Sequence, residues 1–238
     1  MSRVLAIFDV DGTLVPRPGM EMRFARFLLA RGVLNVPRLL GYVARLPVRL
    51  WRDGRLALKT NKAYLAGLES HRLVVLADHF IDQAGPRLWY QPALARLWTH
   101  QQRGDSVLLL TGTPDFLADA LARRLGADGY EASVLARRNG RVTAAPPLQH
   151  PFGAKKLAAA ERVAVSRGAD LSTAWAYGDA WADRFLLAAV GHAVAVRPGR
   201  HLRQLAAQSG WEILDKKAAG PERSRGPSSA SRRRPDAR

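Results

Sequence analysis

The chain contains no cysteine. Disulfide bridges, thiolate zinc centres and cysteine nucleophiles are therefore excluded, and a reducing cytoplasm is the expected compartment. Long apolar runs are also missing: no stretch approaches the ~18 uncharged apolar residues of a membrane-crossing helix. The first apolar run, Val4-Leu-Ala-Ile-Phe8, stops at Asp9 and is too short for the core of a signal peptide. Acidic residues are few, 20 against 37 Lys and Arg, which leaves a formal charge of +17 on 238 residues. With 47% hydrophobic residues, the chain is nonetheless long and apolar enough to bury a core of its own.

The positive excess is local. Between Pro16 and Tyr90 stand thirteen basic residues and five acids, and from Asp215 onward eight basic residues and three acids. The residues after about Lys216 are rich in Gly, Pro, Ser and Arg, so 216–238 reads as a disordered basic tail. Such a tail and the basic insertion predict at most weak, non-specific contact with polyanions or an anionic membrane, and no specific nucleic-acid partner.

Val4–Phe8, Ser106–Leu110, Thr173–Tyr177 and His192–Val196 read as short buried strands. Between them, Pro92–Arg103, Pro114–Leu125 and Lys156–Arg167 carry apolar residues at helical spacing, with Gly104, Gly126 and Gly168 as stops. That alternation predicts a Rossmann-like α/β core, a parallel sheet with helices on both faces. Tyr130–Leu135 and Arg141–Thr143, joined across Arg138-Asn-Gly, read as a hairpin. The segment 16–90 has no convincing strand; helical stretches are expected at Met20–Arg31, Pro37–Trp51, Lys59–Gly67 and Ser70–Ala84. It reads as a helical cap inserted after the first strand, leaving 1–15 and 91–215 as the core.

Ligands in such sheets sit beyond the carboxyl ends of the strands. There the sequence places Asp9 and Asp11 (Phe-Asp-Val-Asp-Gly-Thr), Thr111-Gly112-Thr113, and Tyr177-Gly178-Asp179 with Asp183 four residues on, while Lys155-Lys156 opens the helix before the last of these strands. Converging carboxylates need a counter-charge, and Mg²⁺, which demands oxygen ligands, is the natural one. A lysine, hydroxyls and backbone amides can gather phosphate oxygens. One carboxylate of Asp-Val-Asp can then attack phosphorus, and the other can shuttle the proton. The six histidines show no metal-ligand spacing and read as surface or structural; Trp181 reads as core or loop packing, with shaping the entrance to the site as the alternative.

These residues resemble the four motifs of the haloacid dehalogenase (HAD) superfamily of phosphohydrolases, in order and over the chain to about Leu214. Asp9, Asp11 and Thr13 match the first motif, Thr111 the second, Lys156 or Lys155 the third, and Gly178, Asp179 and Asp183 the fourth. The cap position, Tyr90-Gln-Pro-Ala, Tyr-Gly-Asp, and the closing Gly191–Pro198 and Gly210–Leu214 stretches resemble subfamily IB, the branch of the phosphoserine phosphatases. The resemblance implies Asp9 as nucleophile and metal ligand, and Asp11 as general acid/base with its carbonyl on Mg²⁺. It further implies Asp179 as metal ligand, Asp183 as support for the lysine or a metal-bound water, and Thr111 with Gly112 as phosphate binders. Lys156, in Gly153-Ala-Lys-Lys156, fits the lysine role better than Lys155.

The expected substrate is a small phosphorylated metabolite. Phosphoserine phosphatases place a glutamate shortly after the first motif to meet the substrate's amino group; here Arg17-Pro18-Gly19 stands at that distance and Glu21 follows three residues later. Two other readings remain at this stage: a phosphotransferase or phosphomutase, and a polyanion-binding protein that keeps the fold for its shape.

Overall fold

The computed structural model describes residues 3–34 and 61–215. The helix expected at Pro37–Trp51 and the tail 216–238 lie outside them. Among the described residues, β1 (Leu5–Phe8), β2 (Ser106–Pro114), β3 (Gly129–Ser133), β6 (Trp175–Gly178), β7 (His192–Val196) and β8 (Glu212–Leu214) form a parallel sheet in the order β3-β2-β1-β6-β7-β8. All four residues of β1 are buried because the strand is covered on both faces.

The two-residue period divides the core into two layers. Ala6, Phe8, Val107, Leu109, Tyr177, Val194 and Val196 point to one side, where α1 (Met20–Ala30), α2 (Ser70–Ala84), α3 (Gln91–Gln102) and α4 (Asp115–Leu125) pack. Leu5, Ile7, Leu108, Leu110, Ala176, Ala193 and Ala195 point to the other, against α5 (Ala154–Arg167), α6 (Arg184–Ala189) and α7 (Arg200–Ser209). The fold is thus a three-layer α/β core with a helical cap inserted after β1, as expected. The cap helices are held by period: Met20, Phe24 and Leu28 of α1, and Leu73, Leu76, Ala77, Phe80 and Ile81 of α2, are the buried residues of each.

Three expectations need correction. Tyr130–Leu135 is not a hairpin arm: Gly129–Ser133 is an edge strand parallel to β2. The hairpin is smaller, β4 (Arg137–Arg138) with β5 (Arg141–Val142), turning at Asn139 and Gly140, whose φ angles of 50° and 72° suit a tight turn. It docks on the cap: the amides of Gly67 and Ser70 donate to the carbonyls of Val142 and Gly140. In the expected helix Lys59–Gly67, the described residues make only a 3₁₀ turn, Ala63–Leu65. There Asn61 Oδ1 accepts from the Ala63 amide and Gly67 takes φ 79°, so a local side-chain bond replaces the helical ladder. Finally, the strand expected at Ser106–Leu110 runs on to Pro114, while α7 and β8, for which no element was expected, complete the far edge.

Candidate active site

β1 is the point at which the chain changes direction across the sheet: β2 follows it on one side and β6 lies on the other. Loops leaving adjacent strands at such a point diverge and open a crevice. Here the Asp9 amide donates to the Tyr177 carbonyl at 2.9 Å, so Asp9 and Asp179 leave neighbouring strand ends side by side. Asp9, Asp179 and Asp183 each place a carboxylate oxygen within 4.8 Å of the others, and all three residues are buried.

Lys156 enters this cluster from the first turn of α5. Its Nζ donates to Asp9 Oδ1 and to Asp183 Oδ1, each at 2.7 Å, and the residue is 4% exposed. Lys155 is exposed. Burial alone would lower the Lys156 pKa, but Asp183 and Asp9 outweigh it and hold the ammonium form. Asp183 is fixed in turn, its Oδ2 accepting from the Ala180 amide at 3.0 Å. Burial pushes Asp9 up to about 8; Lys156 opposes this, while Asp183 and Asp179 add to it. Burial likewise raises Asp179, against the pull of Arg17. The cluster is therefore short of positive charge.

Asp179 is reached from two directions. Arg17, with its side chain 76% exposed, donates to Asp179 Oδ2 at 2.9 Å. Asp179 Oδ1 is buried with no hydrogen-bond partner among the described residues. A backbone cradle surrounds it: a Cβ on Gly12, which sits at φ +98°, would stand 2.1 Å from Asp179 Oδ2. An orphaned carboxylate oxygen beside two further carboxylates is a donor set suited to a hard divalent cation.

Asp11 lies on the cap side. Its Oδ1 accepts from the Met20 amide at the start of α1, and its Oδ2 accepts from Thr113 Oγ1 at 2.8 Å. The positive end of a cap helix thus faces this carboxylate. Thr13 Oγ1 lies 3.4 Å from Asp9 Oδ2. Thr111 falls inside β2 rather than after it, because the strand runs on to Pro114; its pairing with β3 slips between Leu110 and Pro114. The Thr111 hydroxyl accepts from the Thr113 amide at 3.1 Å. Asp9, Asp11, Thr111, Gly112, Lys156, Asp179 and Asp183 all line one cavity of about 710 Å³ that continues beneath the cap.

A sequence model described as haloacid dehalogenase-like hydrolase matches residues 6–188. The chain belongs to the haloacid dehalogenase superfamily. A putative hydrolase of Mycobacterium leprae is 33% identical to this HAD protein over 223 residues, covering 90% of this chain and 73% of the relative. A Mycobacterium tuberculosis protein named phosphoserine phosphatase SerB1 is 32% identical over 217 residues, 88% of this chain and 70% of its own. Among solved structures, a protein of unknown function from Bordetella pertussis aligns with TM-score 0.76 at 26% identity, over 90% of this chain and 99% of that one. A phosphoserine phosphatase with a phospho-aspartyl intermediate analogue aligns with TM-score 0.59 at 19% identity, over 91% and 95%, a likeness of fold. The protein is accordingly an HAD-fold hydrolase of the phosphatase type.

Other residues in and around this HAD site take places that the sequence did not assign them. His150, read as surface or structural, is 9% exposed and lines the cavity beside Gly112; its Nδ1 lies 2.5 Å from Ser133 Oγ, which donates to the Gly112 carbonyl. Arg197, at φ 43°, reaches back to donate to the Gly12 carbonyl at 2.9 Å and lies over the Tyr90 ring. Glu21 also lines the cavity, but its carboxylate accepts from the buried ammonium of Lys62. Trp181, expected as core or loop packing or else at the entrance, is 48% exposed, carries the Arg184 guanidinium over its ring and does not line the cavity.

Proposed function

We propose that this protein is a Mg²⁺-dependent phosphatase that hydrolyses a small phosphomonoester through an aspartyl phosphate on Asp9. The observation that carries this reading is the pairing of Lys156 with Asp9 and Asp183 beside an Asp179 oxygen that has no partner among the described residues. In this reading, 1–15 with 91–215 form the catalytic core and 16–90 the cap. Asp9 and Asp179, through their side chains, and Asp11, through its carbonyl, would hold Mg²⁺, which when bound supplies the missing counter-charge and draws charge from the phosphate.

The chain's own residues divide the chemistry as follows. An Asp9 carboxylate oxygen attacks phosphorus, the phosphorus–oxygen bond to the alcohol breaks, and Asp11 gives its proton to the departing alkoxide. Asp11 then takes a proton from water, whose oxygen attacks phosphorus and releases Asp9 and inorganic phosphate. Lys156 neutralises Asp9 as it is phosphorylated, and Asp183 positions Lys156. The Thr111 hydroxyl and the Gly112 amide bind phosphate oxygens, and Thr13 supports Asp9. The bond from the α1 N-terminus to Asp11 couples the proton shuttle to the cap.

Phosphate release from a panel of phosphomonoesters, with Mg²⁺ present and then chelated, tests the reading. Asp9→Asn is expected to abolish turnover while the protein stays folded, and appreciable activity in that variant would refute it. Added alcohols that divert the phosphoryl group at the expense of phosphate release would instead favour a phosphotransferase. The M. tuberculosis relative's name makes phosphoserine the first substrate to try.

A further inference from the structure

The phosphate end of the cavity is built by the core, and its other end by the cap. A substrate's alcohol half must lie against that second wall. α1 is unusual in carrying two apolar stripes. Met20, Phe24 and Leu28 face the core, whereas Met22, Ala25 and Leu29 line the cavity. Met22 and Leu29 keep 54% and 44% of their surface accessible. One stripe suffices to dock a helix; the second gives the cavity an apolar wall.

Among the described residues, the carboxylates on the same side are already committed. Glu21 is paired with Lys62, so it offers no free carboxylate to an ammonium group. The other carboxylates lining the cavity are engaged by Lys156, by Arg17, or by the Met20 amide and Thr113. Asn61 is different. It is 2% exposed, its Oδ1 accepts from the Ala63 amide at 3.1 Å, and that bond fixes the orientation of the amide group. Its Nδ2 is buried on the cavity lining and has no partner among the described residues. A buried donor of this kind calls for an acceptor on the ligand.

Building on the phosphatase reading, we propose that the substrate is the phosphomonoester of a neutral, amphiphilic alcohol. An uncharged acceptor oxygen receives Asn61 Nδ2, and an apolar arm lies along Met22, Ala25 and Leu29. An α-ammonium group finds no free counter-charge there. Arg26, exposed on the same lining, makes a carboxylate-bearing alcohol the competing class.

The test uses the full chain with Mg²⁺ and compares kcat/KM for methyl phosphate, glycerol phosphate, glycerol phosphate bearing a butyl ether, O-phosphoserine and 3-phosphoglycerate. The butyl ether is expected to exceed glycerol phosphate and phosphoserine by about tenfold or more, since each buried methylene contributes severalfold. Asn61→Asp keeps the acceptor for Ala63 but removes the donor, and Met22→Ser with Leu29→Ser removes the wall at exposed positions. Each should lower the ratio of butyl ether to methyl phosphate severalfold, mainly through KM, with the melting temperature of the surface variant unchanged. Preference for phosphoserine or 3-phosphoglycerate, or a ratio that the variants do not move, overturns this inference and leaves the phosphatase reading standing. Failure to hydrolyse any of the five, methyl phosphate included, overturns both.

Discussion

Lys156 is the residue on which the cluster balances. Its buried ammonium donates to two buried carboxyl groups, so removing it leaves both without that partner. Lys156→Met is therefore expected to cost about 3–5 kcal/mol of stability in metal-free protein. It should also remove most turnover, whereas Lys155→Met, at an exposed position, should alter neither by more than about twofold. Thermal unfolding and phosphate release on the two variants check this pair directly. Gly12 makes a second case at this scale. Alanine there meets Asp179 at a distance no Cβ tolerates and in a backbone region that disfavours side chains, so Gly12→Ala should displace Asp179. Calorimetric titration with Mg²⁺ should show its binding weakened by at least about tenfold in that variant.

Among the elements, β1 and β6 set the site, and a buried polar column locks them together. Phe8 stacks on Tyr177 with ring centroids 4.2 Å apart. The Tyr177 hydroxyl lies 2.8 Å from His100 Nε2, and His100 Nδ1 lies 2.7 Å from Asp105. Burial lowers the pKa of His100, despite Asp105, and so favours the neutral ring that accepts from Tyr177. Tyr177→Phe strands that ring nitrogen and should lower stability by about 1–3 kcal/mol, measured by denaturant unfolding. The strands themselves were legible in the sequence because they are buried on both faces and read as apolar runs. So were α2 to α5, with their periodic faces and glycine stops. What failed to show had physical reasons. β3 is an edge strand in which only Ala132 and Ser133 are buried, so its pattern resembled a hairpin arm. α7 is a short helix dominated by Arg, His and Gln, with Leu202 and Ala206 its only buried residues. In the site, Asp9, Asp11, Asp179 and Asp183 could be picked out because they follow strands, and Thr111 because it closes the apolar run of β2. Asn61, Lys62 and His150 could not, since only tertiary packing brings them to the cavity.

For the molecule as a whole, the cap and the core meet over a cavity whose chemistry lies at one end. No helix among the described residues is long and apolar enough to cross a membrane. Metal binding should carry a pH signature. Asp9 is raised toward about 8, so below that pH a cation must displace a proton to reach its carboxylate. Mg²⁺ affinity of the substrate-free protein is therefore expected to strengthen with rising pH, by up to about tenfold per unit, and to level off near 8. Calorimetry in buffers of different ionisation enthalpy would count the released proton. None of the groups assigned to this chemistry comes from the basic segment after Asp215: a chain ending there should keep its kcat/KM while losing salt-sensitive retention on a polyanion resin.

The account as a whole rests on Asp9 becoming phosphorylated. Acid quenching during turnover, followed by peptide mass spectrometry, tests that step most directly. The prediction is one phosphoryl group on Asp9, formed only with Mg²⁺ and lost in Asp9→Asn. Phosphate release with no phosphorylated Asp9, or with the group on another residue, would contradict it.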